Sequence, residues 1–158
     1  MTSLVTRISQ AVKTEKPWMQ VSAAVFADAD DARLDRGQDW VQWLKTGALD
    51  SVALMSYTTD TQRVLAQTRR AIALAGEGKV YTGIGAWRLS AHDVAHKIAA
   101  LRTTGAAGFN LFSYDDVHQR RLYLDTLARG VLASRSAPPR LRRLPDRTGT
   151  VQRSPDHK

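Results

Sequence analysis

Apolar and polar positions alternate between two textures along this chain. Four short runs are apolar at nearly every position: VSAAVF (21–26), VALMSY (52–57), VYTGIGAW (80–87) and GFNLFSY (108–114), starting about 30 residues apart. Runs of this kind predict strands buried on both faces, as in a parallel sheet. Between them the apolar spacing lengthens to three and four. Trp40, Val41, Trp43 and Leu44 fit one face of a short helix, and Val64, Leu65, Ile72 and Ala75 fit a longer one. Val94, Ile98 and Leu101 mark a third helix, and Leu124, Leu127 and Val131 a fourth. Residues 2–15 read as a further helix with Leu4, Ile8 and Val12 on one side.

Punctuation agrees with these elements. Ser90 followed by Asp93 has the form of a capping box, Asp60 suits the N-cap of the helix holding Val64, and Asp115 or Asp116 suits the cap of the last one. Gly47, Gly78 and Gly105 each stand after a helix and before a strand, where a left-handed residue ends a helix.

The order is one helix followed by four βα units, an α/β fold with a parallel sheet covered by helices. Two architectures use such units, an open doubly wound sheet and a closed (β/α)8 barrel. Four units fill half of a barrel, which needs about 250 residues in all. A half-barrel alone leaves two open sheet edges, available to a missing N-terminal half or to self-association.

With 158 residues the chain suits one domain. The repeats occupy 1–133. Residues 134–158, ending in RLRRLPDRTGTVQRSPDHK, are rich in Arg, Pro and Ser without a period and read as a disordered basic tail. Residues 129–158 hold eight of the 23 Lys and Arg but two of the 15 Asp and Glu, so most of the formal charge of +8 lies there. The tail has no aromatic residue, so it offers phosphates or an anionic surface electrostatic contact without base stacking, and no specific nucleic-acid reading. No cysteine is present, which removes disulfides and thiolate metal sites. No apolar run is long enough for a transmembrane segment, and the alternating N-terminus is unlike a signal peptide, so the chain as written reads as cytoplasmic.

The segments SAAVFADADDARLDRGQDWVQWLKTGALDSVALMSYTTD, VYTGIGAWR and GAAGFNLFSYDD resemble the C-terminal half of the bacterial glycoside-hydrolase-like 10 family. The likeness covers roughly residues 2–132, and QDWVQWLKTGALDSVALMSY and GFNLFSYD are its most specific pieces. One departure is Leu54, where the family usually has Pro before Met-x-Tyr. The resemblance implies a (β/α)8 TIM barrel whose strands five to eight are the four runs. It implies a polysaccharide or glycan strand of the cell wall as partner, and exported or envelope-bound full-length relatives. The family's Asp-bearing segment at the end of strand four would precede Met1, so the resemblance implies an incomplete glycoside hydrolase, inactive alone.

Candidate chemistry sits where the strands end, since parallel strands present ligands at their carboxyl ends. VALMSY runs abruptly into Thr58, Thr59 and Asp60. Tyr57, which matches the family's Met-x-Tyr, suits a hydrogen bond to a sugar hydroxyl or a place in the rim. Trp87 offers a ring face to a pyranose and Arg88 a clamp for a carboxylate or acetamido oxygen, with packing and a solvated charge as the plain alternatives. Gly83 and Gly85 permit close backbone approach or mark a bend. Ser113, Tyr114 and Asp115 close the fourth run. Asp60 and Asp115 are weak catalytic candidates and read better as helix caps. A glycosidase needs two carboxyl groups about 5 to 9.5 Å apart, one of them desolvated enough to act as acid, and no such pair is evident.

Two patterns carry less than they suggest. HDVAH (92–96) lacks the Glu of a zinc-protease motif, and Val94, Ile98 and Leu101 turn His92 and His96 toward solvent. Asp28, Asp30, Asp31 and Asp35 miss the EF-hand spacing and read as a solvated loop. No metal and no cofactor is expected. Besides an incomplete glycosidase, the residues suit a non-catalytic carbohydrate-binding half-barrel, or an electrostatic binder acting through its basic tail.

Overall fold

The four apolar runs form four strands of one sheet, β1 (Ser22–Val25), β2 (Ser51–Met55), β3 (Val80–Gly85) and β4 (Gly108–Phe112). The computed structural model describes residues 1–133, and the disorder expected of 134–158 lies outside them. Helices alternate with the strands: α1 (Thr2–Glu15), α2 (Ala29–Leu34), α3 (Trp40–Lys45), α4 (Thr61–Ala75), α5 (Ala91–Leu101), α6 (Tyr114–Val117) and α7 (Tyr123–Arg129). A 3-10 turn, Ala86–Arg88, follows β3.

All neighbouring strands are parallel and stand in chain order, β1-β2-β3-β4. This order never reverses. Right-handed crossovers taken repeatedly in one direction place every helix on the same face, whereas a doubly wound sheet needs a reversal to cover both. Burial agrees with that rule. Val25, Val52, Leu54, Val80, Thr82 and Ile84 point at the helices and are buried. Their alternates Ser22, Ala24, Asn110 and Phe112 are exposed, Ala53, Met55 and Tyr81 are half-buried, and on that face Ser51, Gly83 and Gly85 are buried, the two glycines beneath the rings of Tyr57 and Trp87. Burial on both faces, expected from the runs, is therefore corrected: among the described residues one face is open. The runs look continuous because the open face carries Ala, Met, Gly and aromatic residues in place of charged ones.

Two clusters hold the helix layer to the sheet. Trp40, Trp43 and Leu44 pack with Val25, Val52 and Leu54, while Val94, Ile98, Leu101 and Leu127 pack with Ile84. The Ser90–Asp93 capping box is formed in both directions, and Asp60 accepts from the Gln62 and Arg63 amides at 2.8 and 3.3 Å. Gly47, Gly78 and Gly105 all have positive φ, of 74°, 76° and 81°.

Several local expectations differ from the structure. On α1 the inward stripe is Val5, Ser9 and Val12, and Leu4 and Ile8 face solvent. Polar anchors set that rotation: Trp43 Nε1 donates to Thr2 Oγ1 at 2.9 Å, and Lys13 pairs with Asp50 at 2.9 Å. The acidic stretch after β1 is the short helix α2, capped by Asp28, with Asp30 paired to Arg70. In α7 Tyr123 is buried in place of Leu124. Neither Asp115 nor Asp116 caps that helix, because 114–117 form a turn of their own with Ser113 at the N-cap.

Candidate functional site

The carboxyl ends of β2, β3 and β4 bring three rings together. Tyr57 stands edge-on to Trp87 with centroids 5.1 Å apart and stacks on Phe112 at 5.3 Å and 16°. Trp87 meets Phe112 edge-on at 5.7 Å. Phe112 is 52% exposed and forms the solvent side of the cluster.

Glycines let these rings lie against the sheet. A Cβ on Gly85 would stand 2.9 Å from Trp87 Cζ3 and 3.2 Å from Tyr57 Cβ. On Gly83 it would stand 2.5 Å from the Leu54 carbonyl oxygen and 3.1 Å from Tyr57 Cε1. Only residues without a side chain leave that room.

Beside the rings is a cleft of about 370 Å³, lined by Met55, Tyr57, Thr58, Thr59, Arg63, Gln67 and Arg88. Burial pushes the Tyr57 phenol above its ordinary value, so it remains a protonated donor. The cleft unites Tyr57 and Arg88 from the candidates with Trp87 alongside. Phe112, Arg63 and Gln67 are additions that sequence reasoning missed. Counting by two from Gly108 puts Phe112 on the open face, and positions 63 and 67 are one turn apart on α4, so both signals were present.

Other candidates stand apart. Ser113 Oγ hydrogen-bonds to the Asp116 carboxylate, and Tyr114 stacks on His118 at 5.0 Å, outside the cleft lining. Asp115 is exposed in the first turn of α6. Asp60 Oδ1 is occupied by two amides of α4. His92 and His96 lie on the exposed side of α5, and among the described residues no group of three or more acidic or His side chains is placed to hold a metal. No helix among the described residues is long and apolar enough to cross a membrane.

Two cations hold the site from behind. Lys97, 1% exposed on α5, donates to the Thr59 carbonyl at 2.7 Å and to Thr61 Oγ1 at 2.9 Å, tying down the loop that carries Tyr57 and Thr58. Burial holds its ammonium below the ordinary lysine value, opposed by the charges of Asp60 and Asp93. Arg120 donates to the carbonyls of Ala86, Trp87 and Leu89, and Tyr123 Oη reaches those of Ala86 and Leu89 at 3.3 Å. The turn bearing Trp87 and Arg88 is thereby fixed from the α6–α7 connection and the first residue of α7. Neither role is legible locally, since the donors lie about 30 to 40 residues from their acceptors.

Comparison with protein-family models, with curated proteins and with solved structures finds no match in any of the three.

Proposed function

We propose that this chain is the strand-five-to-eight half of a glycoside-hydrolase-like barrel and that it binds a glycan strand across the carboxyl ends of its strands without a complete catalytic pair. The observation that carries this reading is the Tyr57–Trp87–Phe112 cluster, three rings from three successive strand ends beside a polar cleft. Sugar rings have apolar C–H faces and polar rims, so aromatic faces beside hydrogen-bond donors suit them. In-order parallel strands with one open face support the half-barrel, because the inward face of a barrel is filled only once the ring closes.

Inactivity follows from the carboxylates. Asp60 serves as a helix cap, and Asp115 and Asp116 are exposed on α6, so none occupies the apolar pocket that a general acid requires. The test has two arms. Affinity electrophoresis in gels containing soluble β-linked glycan should retard the chain, and Trp87→Ala should run freely. A reducing-end release assay on purified cell-wall glycan strands should show no turnover. Turnover abolished by Asp60→Asn or Asp115→Asn would instead identify a working acid within this chain.

A further inference from the structure

The two charged side chains of the cleft are donors only, and no carboxylate lines it. Arg63 and Arg88 line it, and neither enters an ion pair among the described residues. Gln67 Oε1 accepts from Ser56 Oγ at 3.0 Å, which leaves the amide nitrogen as the free end of that side chain. Thr58 Oγ1 accepts from the Asp60 amide at 3.2 Å, so its hydroxyl proton is free to be given outward. The Thr59 carbonyl, one backbone acceptor of the lining residues, is taken by Lys97, whose buried ammonium adds positive charge behind the loop. Asp60, next in the chain after Thr59, turns Oδ1 to the first turn of α4 and is absent from the lining.

A cleft rich in donors and poor in acceptors, with two guanidiniums at its walls, is matched by an acceptor-rich anion. We propose that it selects an acidic saccharide, with Arg63 and Arg88 holding the sugar carboxylate while the adjoining Tyr57–Trp87–Phe112 rings carry the pyranose faces. This deepens the glycan-binding reading and rests on it. Arg is suited to the task because its planar fork meets both carboxylate oxygens at once.

The probes are a β-1,4-linked oligoglucuronate and the same oligomer with its carboxyls reduced to alcohols, which differ in charge and little in shape. Binding to the whole chain is measured by calorimetry at low and high salt. The acidic oligomer should bind about tenfold or more tightly than the reduced one at low salt. Salt should narrow that gap, because both guanidiniums are exposed. Arg63→Gln and Arg88→Gln should each remove most of the gap, lowering affinity for the acidic oligomer far more than affinity for the reduced one. Equal binding of the two oligomers overturns the acidic preference and leaves the glycan reading standing. Binding of neither overturns both. Retention of a single-stranded oligonucleotide in preference to the acidic sugar, lost in the same two variants, overturns the saccharide assignment in favour of a phosphate backbone.

Discussion

Trp87 and Gly85, two residues apart at the end of β3, occupy one another's space: the indole lies where a Gly85 side chain would be, with only 2.9 Å from its Cζ3 to the missing Cβ. Gly83, one step earlier on the same face, is crowded by the Leu54 carbonyl oxygen at 2.5 Å. A ring at the cluster's edge can swing aside, whereas a backbone carbonyl of a central strand cannot. Gly85→Ala is therefore expected to keep the fold and displace Trp87, seen as altered near-ultraviolet circular dichroism and weakened glycan retardation. Gly83→Ala is expected to lower the melting temperature by far more than Gly85→Ala. The reverse order of stabilities would contradict this account.

The two buried tryptophans of α3 are unequal. Trp43 Nε1 donates to Thr2 Oγ1 at 2.9 Å, and Trp40 Nε1 is buried with no partner among the described residues. Replacing either by Phe removes similar volume, so the difference between the variants reports the N–H. Losing a satisfied bond costs about 1 kcal/mol, and removing an unsatisfied donor relieves about 1 to 3 kcal/mol. Trp40→Phe should accordingly be the milder change by about 2 to 4 kcal/mol in urea unfolding.

Lys97 gives the fold an alkaline signature. Its folded-state value is lowered by burial, so between that value and the ordinary 10.5 the unfolded chain binds more protons than the folded one. This part of the stability rises with pH across that window and is absent below it. A neutral amine still has two protons for Thr59 and Thr61, so the loop stays tied. Lys97→Met should flatten the rise, measured as melting temperature against pH for the variant and wild type. A parallel pair of curves would assign the slope to other groups.

The outer edges of β1 and β4 have no neighbouring strand among the described residues, and half of their backbone N–H and C=O groups point outward. Among the described residues a side chain covers this outward edge at the far end of β1, where the Phe26 amide donates to Gln38 Oε1 at 3.0 Å. The mean mass in sedimentation should therefore rise with concentration. Ala24→Lys, which puts a charge on the open face of the edge strand, should reduce that rise. A monomer at every concentration would show that these edges are protected in solution.

Much of this molecule was legible in the chain because its signals are local. Apolar runs gave the strands, three-and-four spacing gave the central helices, and Ser90, Asp60 and the punctuating glycines gave caps and ends, since each acts within a few residues of itself. Tyr57, Trp87 and Arg88 were placed at strand ends by the same count. What the count missed was rotation and partnership. Leu4 and Ile8 look like the inward stripe of α1, yet Thr2 and Lys13 turn that helix by bonding to residues more than 30 positions away.

By itself, then, the sequence determined the βα order, the strand positions to within two residues at each end and the polar character of the strand ends, all consequences of backbone geometry and side-chain period. Only the tertiary structure decided that the strands follow one another without reversal, that one sheet face stays open, and that Phe112 joins Tyr57 and Trp87. It alone set Lys97 and Arg120 behind the site. Those features depend on which distant segments pack together, and packing is settled by the sum of buried contacts across the whole chain, which no window of adjacent residues contains.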